Sequence, residues 1–505
     1  MHAHVLSAAL VGIDAALVRV EVDVANGLPS FTTVGLPDSA VRESRERVRA
    51  AIKNAGYAFP GDRITVNLAP ADLRKVGASF DLPIALAILM ATGSVQETAV
   101  REFAVVGELA LDGQIQAVRG ALAVALTCRR KGVRTLLVPC DNAAEATAVD
   151  GIRVIAASTL RDAVAVLNGA PAATAATPMP IGPASADELD LADVRGQAHA
   201  KRALEIAAAG GHNMLLVGPP GAGKTMLARR LATVLPPLAG DEVLEVSAIW
   251  SVAGLLGRLG TLVRARPFRA PHHTISVAGL VGGGSPPHPG EVTLAHRGVL
   301  FMDELPEFQQ HVLESLRQPL EDGTVSIARA AAVSQFPARF QLVAAANPCR
   351  RGCASLEQCI CTPAERSRYL GRISGPLLDR IDLHVELPAV GGSEFAETAP
   401  GETSASVRGR VAAARERQRR RWSSSPARLN ADLTPRHLRR AGAVAADAHQ
   451  LVAVAITRLG LSARGHDRTL KVARTIADLA GCDTVAAEHC AEALQYRGLD
   501  RRWRP

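Results

Sequence analysis

A glycine-rich octapeptide limits the possible folds of this chain more than any other feature does. It consists of Gly218, Pro219, Pro220, Gly221, Ala222, Gly223, Lys224 and Thr225. This octapeptide fits the pattern G-x-x-x-x-G-K-[ST], in which backbone N–H groups at a helix N-terminus surround a polyphosphate. The apolar residues 214–217 before it predict a buried strand, and residues 226–232 after it predict an amphipathic helix. We therefore expect the chain to bind a nucleoside triphosphate.

Four residues of this loop have expected roles in binding the nucleotide and its metal ion. Gly221 and Gly223 allow the backbone to approach the phosphates closely. Lys224 is expected to reach the β- and γ-phosphates, and the Thr225 hydroxyl is expected to hold Mg²⁺. ATP and Mg²⁺ are thus the expected cofactors.

A second motif adds hydrolysis to binding. Residues 298–302 form an apolar segment that ends in two carboxylates, Asp303 and Glu304. We expect Asp303 to hold the Mg²⁺ and Glu304 to polarise the attacking water. A third apolar segment, 340–346, ends at Asn347, which either helps to position that water beside the γ-phosphate or begins a turn before Pro348.

Composition and length exclude several classes of protein. The 505 residues are 48% hydrophobic and 21% charged, which is typical of globular chains with about three domains and excludes a disordered protein. The longest apolar run is far too short to cross a bilayer. The N-terminus lacks the charged and apolar regions of a signal peptide. We expect a cytoplasmic protein with no membrane partner.

Positive charge is concentrated at the C-terminal end. Residues 405–505 contain 20 Lys and Arg against 9 Asp and Glu, a balance of +11 within a chain total of +8. Arg419, Arg420 and Arg421 belong to the densest run, which is either a phosphate-binding surface or a solvated helix face. Because only 3% of the residues are aromatic, base stacking is not expected to dominate. Any DNA contact should be to the backbone and independent of base sequence.

Pattern and composition divide the chain into four parts. Residues 1–168 mix strands and helices, and residues 169–186 form a linker rich in Pro, Ala and Thr. From 187 to 390 strands alternate with helices around the phosphate loop, which predicts a mostly parallel sheet. Residues 391–505 are helical, basic and rich in Ala. The fold class is therefore α/β and multidomain.

The motifs together resemble the AAA+ ATPases, and more closely the magnesium-chelatase-like branch that contains the competence protein ComM (YifB-like) family. The resemblance covers essentially the whole chain. It is carried by the phosphate loop, Asn347 and the segments 35–44, 268–274, 298–308, 336–348, 374–383 and 461–464.

This resemblance implies a fold of three domains. They are an α+β domain similar to the Lon protease domain at 1–168, an AAA+ core at 187–390 and a helical lid at 391–505. It also implies a homo-hexameric ring with ATP between subunits.

Two arginines are assigned by the same resemblance. Arg380 matches the arginine finger that reaches into the neighbouring subunit's site. Arg468 matches the lid arginine that contacts the γ-phosphate, with Arg464 as the nearby competitor. For each of them, a surface arginine without such a role is the alternative.

Two insertions of this branch face the pore in related ring motors. One lies within 264–291, and the other is a hairpin formed by 323–329 and 333–340. Arg329, near the hairpin tip, is the candidate for a DNA phosphate contact, and an exposed turn arginine is the equally open alternative.

The N-terminal domain is expected to lack peptidase activity. Peptidase chemistry in the Lon family needs a Ser–Lys pair in which the lysine activates the hydroxyl. Ser79 matches the surroundings of the nucleophile, but Val124 occupies the position that matches the lysine. We expect a structural or DNA-interacting role for this domain instead.

Four of the eight cysteines lie close together in the sequence, with the spacing C-x₃-C-x₅-C-x-C. They are Cys349, Cys353, Cys359 and Cys361. Four thiolates could hold Zn²⁺ in a tetrahedral site, or they could be four reduced loop cysteines. The remaining four are scattered and expected to bury as small apolar side chains.

Three functions follow from these features. The first, favoured by the resemblance to ComM, is a motor that acts on single-stranded or branched DNA, driving branch migration or unwinding during recombination of incoming DNA. The second is a chelatase-type motor that remodels a protein partner. The third, an ATP-dependent protease, is disfavoured by Val124.

Overall fold

The computed structural model of the chain describes residues 1–96, 103–171, 177–184, 189–285, 287–329, 332–353, 359–389, 401–423, 429–441, 444–459 and 462–498. Mixed α and β structure occupies the chain up to residue 386, and helices occupy the part after it. Among the described residues, no helix combines the length and the apolarity that crossing a bilayer requires.

The N-terminal unit is built on a mixed seven-stranded sheet with the strand order β3-β4-β2-β1-β5-β8-β9. Its strands are β1 His2–Val11, β2 Asp14–Ala25, β3 Ser30–Val34, β4 Arg63–Ala69, β5 Phe103–Val105, β6 Glu108–Leu109, β7 Ile115–Gln116, β8 Thr135–Pro139 and β9 Arg153–Ala157. Its helices are α1 Ser39–Asn54, α2 Asp81–Ala91, α3 Ala121–Arg130, α4 Cys140–Thr147 and α5 Leu160–Leu167. β1, β2 and β4 pair antiparallel, and the other pairs in this sheet are parallel.

The central unit contains a five-stranded parallel sheet with the order β11-β14-β17-β10-β18. Its strands and the two associated hairpins are β10 Met214–Val217, β11 Phe268–Arg269, β12 Gly282–Gly283, β13 His288–Pro289, β14 Val299–Met302, β15 Thr324–Arg329, β16 Ala332–Pro337, β17 Gln341–Ala346 and β18 Leu383–Glu386. β10, β14 and β17 are buried along their whole length, as expected for a parallel sheet covered on both faces.

Ten helices of the described residues surround this sheet and its hairpins. They are α6 Ala198–Gly210, α7 Lys224–Val234, α8 Asp241–Val252, α9 Leu256–Leu259, α10 Val277–Val281, α11 Glu291–Leu294, α12 Gln310–Ser315, α13 Arg317–Asp322, α14 Pro363–Leu370 and α15 Gly375–Leu378. The expected hairpin before β17 is present, since β15 pairs antiparallel with β16.

The C-terminal helices pack on the central unit. They are α16 Ser404–Arg421, α17 Pro435–Ala441, α18 Ala446–Leu459, α19 Ala463–Leu479 and α20 Ala487–Gln495. Side chains of α16, α19 and α20 share one buried apolar cluster with α6, α7 and β10. An ion pair of 2.8 Å between Arg202 and Glu492 adds a polar contact between α6 and α20.

The N-terminal unit contacts the central unit through α3, which packs on α8. Leu122 and Val124 of α3 lie in the same buried apolar cluster as Val243 and Val246 of α8. The described part of the linker, 177–184, contains neither a helix nor a strand, and it bonds to both units. The Met179 N–H donates to Ala144 O of α4 at 2.8 Å, and the N–H of Gly182 donates to Leu262 O at 2.9 Å.

Candidate active site

The phosphate loop lies between the end of β10 and the start of α7. Gly223 caps the helix with φ +87°, a backbone conformation that L side chains rarely adopt, which explains the glycine at this position. The first N–H groups of α7 have no partner within the helix, so at the carboxyl edge of the sheet they are available to donate to a bound anion.

Lys224 is held inside the loop by three oxygen atoms. Its Nζ donates to Gly218 O at 2.7 Å, to Pro219 O at 2.9 Å and to Asn347 Oδ1 at 2.9 Å. Burial lowers the pKa of the Lys224 ammonium, and the nearby carboxylates of Asp303 and Glu304 oppose that shift. The ammonium therefore lies where the phosphates of a bound nucleotide would pass.

The hydroxyl and the carboxylates predicted from the sequence meet at the carboxyl edge of the sheet. Thr225 Oγ1 donates to Asp303 Oδ2 at 2.8 Å, and Asp303 Oδ1 accepts from the N–H of Glu304 at 2.9 Å. A hydroxyl and a carboxylate are hard oxygen ligands, so this pair fits the chemistry of Mg²⁺. The Glu304 side chain is half-exposed beside them, in a position open to water.

The Asn347 side chain accepts from Lys224, whereas a residue that only begins a turn would need no such contact. β17 lies between β10 and β14, so the residue that follows β17 lies between the phosphate loop and Asp303. This arrangement brings together five of the predicted residues: Lys224, Thr225, Asp303, Glu304 and Asn347.

His273 is a neighbour of Glu304 that we did not single out from the sequence. Its Nδ1 lies 3.6 Å from Glu304 Oε2, and its ring meets Phe308 edge-on with the centroids 6.4 Å apart. The only signal in the sequence was its place in segment 268–274, one of those that carry the family resemblance. A single sequence offers no spacing rule that pairs this histidine with a carboxylate thirty residues away.

Arg380 lies at the opposite, amino edge of the sheet. Its carbonyl accepts from the Asn213 side chain at 2.9 Å, and Asn213 immediately precedes β10. The phosphate loop begins at the other end of β10. The length of this strand places Asn213 and the start of the loop about 13 Å apart. The Arg380 guanidinium is buried and donates to Glu321 and to the carbonyl of Pro376 within the same chain.

Arg468 lies at the same amino edge. Its Nη1 donates to Asp382 Oδ1 at 2.6 Å, and Asp382 immediately precedes β18. The other carboxylate oxygen of Asp382 lies 3.0 Å from His212 Nδ1. Burial raises the pKa of Asp382, but Arg468 and His212 outweigh burial and hold the pKa well below its usual range. Arg468 is therefore not directed at the phosphate loop of its own chain; Arg464 lies on the first turn of the same helix, near Arg380.

The basic run forms the C-terminal end of α16, where its members differ in their surroundings. Arg419 and Arg420 are exposed to 74% and 79%, and both pair with Glu416. Arg421 is only 16% exposed and pairs with the fully buried Asp478 at 2.6 Å. A surface cavity of about 640 Å³ lies here, lined by Ala413, Glu416, Arg417, Arg420, Arg421 and Asp483. Two of the three predicted arginines are thus available to a phosphate, and the third stabilises the contact between α16 and α19.

Arg329 is the last residue of β15 and pairs through its backbone with Ala332, the first residue of β16, at the tip of the hairpin. Its side chain lies outside the described part of the chain, so its contact with DNA stays a prediction.

The four clustered cysteines converge in space. Their sulfur atoms all lie within 4.8 Å of one another. Cys349 and Cys361 are buried and the other two are half-buried. Burial raises the pKa of the Cys349 thiol, but the N–H of Cys353 and the neighbouring thiols outweigh burial and lower it to about 7. Cys349 thus favours the thiolate form that binds metals, whereas the pKa values of the Cys353, Cys359 and Cys361 thiols are raised.

In the N-terminal unit, Ser79 lies in a half-buried 3₁₀ turn just before α2. Val124 is buried on α3, on the face that meets α8. The position that would hold a catalytic lysine is therefore part of an apolar contact between units.

Three family models match the chain. The model described as "Magnesium chelatase, subunit ChlI" matches residues 190–395. The model "Subunit ChlI of Mg-chelatase" matches 20–142, and "Magnesium chelatase, subunit ChlI C-terminal" matches 401–497. Together they cover the N-terminal, central and C-terminal parts of the chain.

Curated relatives match over almost the full length. The competence protein ComM of Haemophilus influenzae is 46% identical over 502 residues, which are 98% of this chain and 97% of the relative. YifB of Escherichia coli is 45% identical over 495 residues, 98% of this chain and 96% of the relative. An uncharacterised protein of Mycobacterium tuberculosis is 47% identical over 498 residues, 98% of both chains.

Proposed function

Because this chain belongs to the ComM/YifB family of magnesium-chelatase-like proteins, we propose that it is an ATP-hydrolysing AAA+ ring motor that acts on DNA. The observation that carries the ATPase is the convergence of Lys224, Thr225, Asp303, Glu304 and Asn347 at one edge of the parallel sheet. The DNA substrate is supported by full-length similarity to a competence protein and by the basic C-terminal part.

The residues of the site divide the reaction among them. The loop N–H groups and the Lys224 ammonium bind and orient the phosphates, while Thr225 and Asp303 offer oxygen ligands to Mg²⁺. When bound, Mg²⁺ neutralises negative charge on the phosphate oxygens. The Glu304 carboxylate holds and polarises the attacking water, and Asn347 helps to position it.

The positions of two arginines support a site shared between subunits, as in the homo-hexameric ring that the family resemblance implies. Arg380 and Arg468 lie at the amino edge of the sheet, about one strand length from the phosphate loop of their own chain. In a ring, the edge of one subunit faces the nucleotide of the next, so both guanidinium groups act on a neighbour's phosphates. For the Arg380 guanidinium to reach a neighbour's phosphates, its ion pair with Glu321 has to open.

Contacts with DNA are to the phosphate backbone. Arg419 and Arg420 are exposed on α16, and Arg329 ends the first strand of the hairpin that faces the pore in related motors. Such contacts are independent of base sequence and suit single-stranded or branched DNA in branch migration during natural transformation. The proposed site of this activity is the cytoplasm.

The two flanking parts of the chain have supporting roles. The C-terminal helices form a lid over the central unit, with which they share a buried cluster. The N-terminal unit is a Lon-like domain without peptidase activity, because Val124 is apolar and buried where a base is needed.

A chelatase-type motor that remodels a protein partner is the second candidate, favoured by the names of the three matching models. The two candidates separate in one experiment. Phosphate release is measured for the full chain with forked DNA, with single-stranded DNA and without DNA, at two salt concentrations, with Glu304→Gln as the inactive control. A DNA motor hydrolyses ATP several-fold faster with DNA and loses that stimulation at high salt. If the rate of ATP hydrolysis is the same with and without DNA, and DNA binding does not change with salt concentration, the DNA-motor proposal is refuted.

A further inference from the structure

The loop that follows the active-site strand β17 carries the four clustered cysteines and also touches the phosphate loop. We propose that Cys349, Cys353, Cys359 and Cys361 bind one Zn²⁺ ion, and that this metal holds their loop against the phosphate loop.

The arrangement of the sulfur atoms fits a single tetrahedral metal. With Zn–S bonds of about 2.3 Å, a tetrahedral site separates its sulfurs by about 3.8 Å. The four sulfurs here all lie within 4.8 Å of one another, so small movements complete the geometry. A cluster of two or four irons would hold its outer sulfurs farther apart. All four thiols are free rather than paired in disulfides.

Local backbone structure prepares this site before any metal binds. Gly352, with φ +69°, closes a turn in which its N–H donates to Cys349 O at 3.0 Å. The next N–H, from Cys353, points at Cys349 Sγ at 3.4 Å. An N–H donor toward a ligand sulfur stabilises the thiolate that a metal requires. At the other end, Cys361 immediately precedes Thr362, which caps α14 with its side chain.

The turn also makes the contact with the phosphate loop. A Cβ atom added at Gly352 would lie 2.9 Å from Cγ of Pro220, closer than real Cβ contacts allow. Cys349 is two residues beyond Asn347, whose side chain bonds Lys224. Fixing the cysteine loop therefore fixes both Asn347 and one side of the phosphate loop. This link to nucleotide binding rests on the proposed ATP site, whereas metal binding itself does not.

The metal is tested on the full-length protein, purified without a metal-affinity tag and assayed by elemental mass spectrometry. We expect about one zinc per chain, and the spectrum of a tetrahedral Co²⁺ tetrathiolate after exchange. Cys359→Ser with Cys361→Ser should lose the metal. Cys140→Ser with Cys482→Ser, which lie outside the cluster, should keep it.

Wild-type protein gives a second readout if the double variant does not fold, because a mercurial thiol reagent should release the zinc stoichiometrically. Wild-type protein that holds neither zinc nor cobalt overturns the proposal. Iron–sulfur absorbance, or equal zinc in the cluster variant, overturns it as well.

The coupling is tested by Gly352→Ala, which leaves all four thiols in place. We expect full zinc content but a several-fold weaker affinity for a fluorescent ATP analogue, because the new Cβ pushes the turn away from Pro220. Gly132→Ala is the matched control, since Gly132 also has a positive φ of +76° but has open space around it. Unchanged ATP affinity in Gly352→Ala refutes the coupling. If wild-type protein binds zinc but no ATP, the proposed function fails and the metal site stands.

Discussion

Lys224 and Glu304 lie in one site, but substituting them should impair different steps: nucleotide binding for Lys224 and ATP hydrolysis for Glu304. Lys224→Ala removes the ammonium that faces the phosphates, so nucleotide binding should be lost. Glu304→Gln keeps the shape of the side chain but cannot polarise water, so ATP should bind while turnover falls about 100-fold or more. Binding of a fluorescent ATP analogue and release of phosphate measure the two effects separately.

His311→Gln is a suitable control for both variants, because it changes an exposed polar residue on α12, outside the five converging residues. Near-normal turnover in Glu304→Gln would show that the pair Asp303–Glu304 has been given the wrong role.

Arg380 tests whether the site is shared between subunits. Arg380→Ala should keep its ATP affinity and lose about 10³-fold in turnover, because the guanidinium acts only on the transferring phosphoryl group. Mixing this variant with Lys224→Ala should restore part of the activity, since each protein retains one intact half of a shared site. Steady-state phosphate release over a range of mixing ratios is the measurement.

Complementation also separates catalysis from folding. Arg380 is buried and pairs with Glu321, so its loss could also weaken the fold. A purely structural defect would not be rescued by a partner that lacks Lys224. Arg130→Ala, an exposed arginine of the N-terminal unit, should behave as wild type. Normal hydrolysis by Arg380→Ala monomers would contradict the shared site.

At the scale of elements, α16 should combine a DNA surface with a structural anchor. Arg419→Ala with Arg420→Ala removes two exposed cations, so DNA affinity should fall and the slope of log K against log salt should decrease by about 2. Its thermal stability should hardly change, because exposed ion pairs contribute roughly 0–1 kcal/mol each. Fluorescence anisotropy at several salt concentrations checks this.

Arg421→Ala is the matched contrast on the same helix. It leaves the buried Asp478 with Arg474 as its remaining charged partner, so we expect a loss of roughly 3 kcal/mol of folding stability. If the double variant binds DNA as wild type does, the exposed end of α16 is only a solvated helix face.

The sequence predicted those elements of the central unit that carry the candidate site, because each of them has a local signal. β10, α7 and β17 follow from apolar runs and from the phosphate-loop pattern, and the hairpin β15–β16 was expected at its observed place. Parallel pairing then brings the ends of the strands together, so Asp303 and Asn347 could be assigned to one site.

Long-range partners had no such signal. Glu321 pairs with Arg380 and Asp382 pairs with Arg468. The local sequence around these carboxylates does not indicate either ion pair. The different surroundings of Arg420 and Arg421 depend on where α19 packs, which a charge run cannot indicate. A sequence motif therefore indicates which chemistry a side chain can perform, whereas its partner depends on how distant elements pack in the folded chain.

At the scale of the whole molecule, the contact between α3 and α8 connects the N-terminal unit to the central unit. Leu122 and Val124 bury apolar surface there together with Val243 and Val246. In a Lon-type peptidase the matching position would need a lysine with access to a serine. Here the same helix face packs against α8, and we propose that it serves this contact rather than peptidase chemistry.

Val124→Lys should therefore destabilise the protein without creating a peptidase. Its ammonium would enter a cluster of buried apolar side chains. A buried lysine is typically neutralised by a pKa shift of about 3 units, which corresponds to about 4 kcal/mol. Val124→Met, which stays apolar, should cost less than about 1.5 kcal/mol. Denaturant unfolding of the full chain measures both, and casein hydrolysis should stay at background. A stable Val124→Lys protein that cleaves casein, and loses cleavage with Ser79→Ala, would show instead that the lysine is all that this unit lacks as a peptidase.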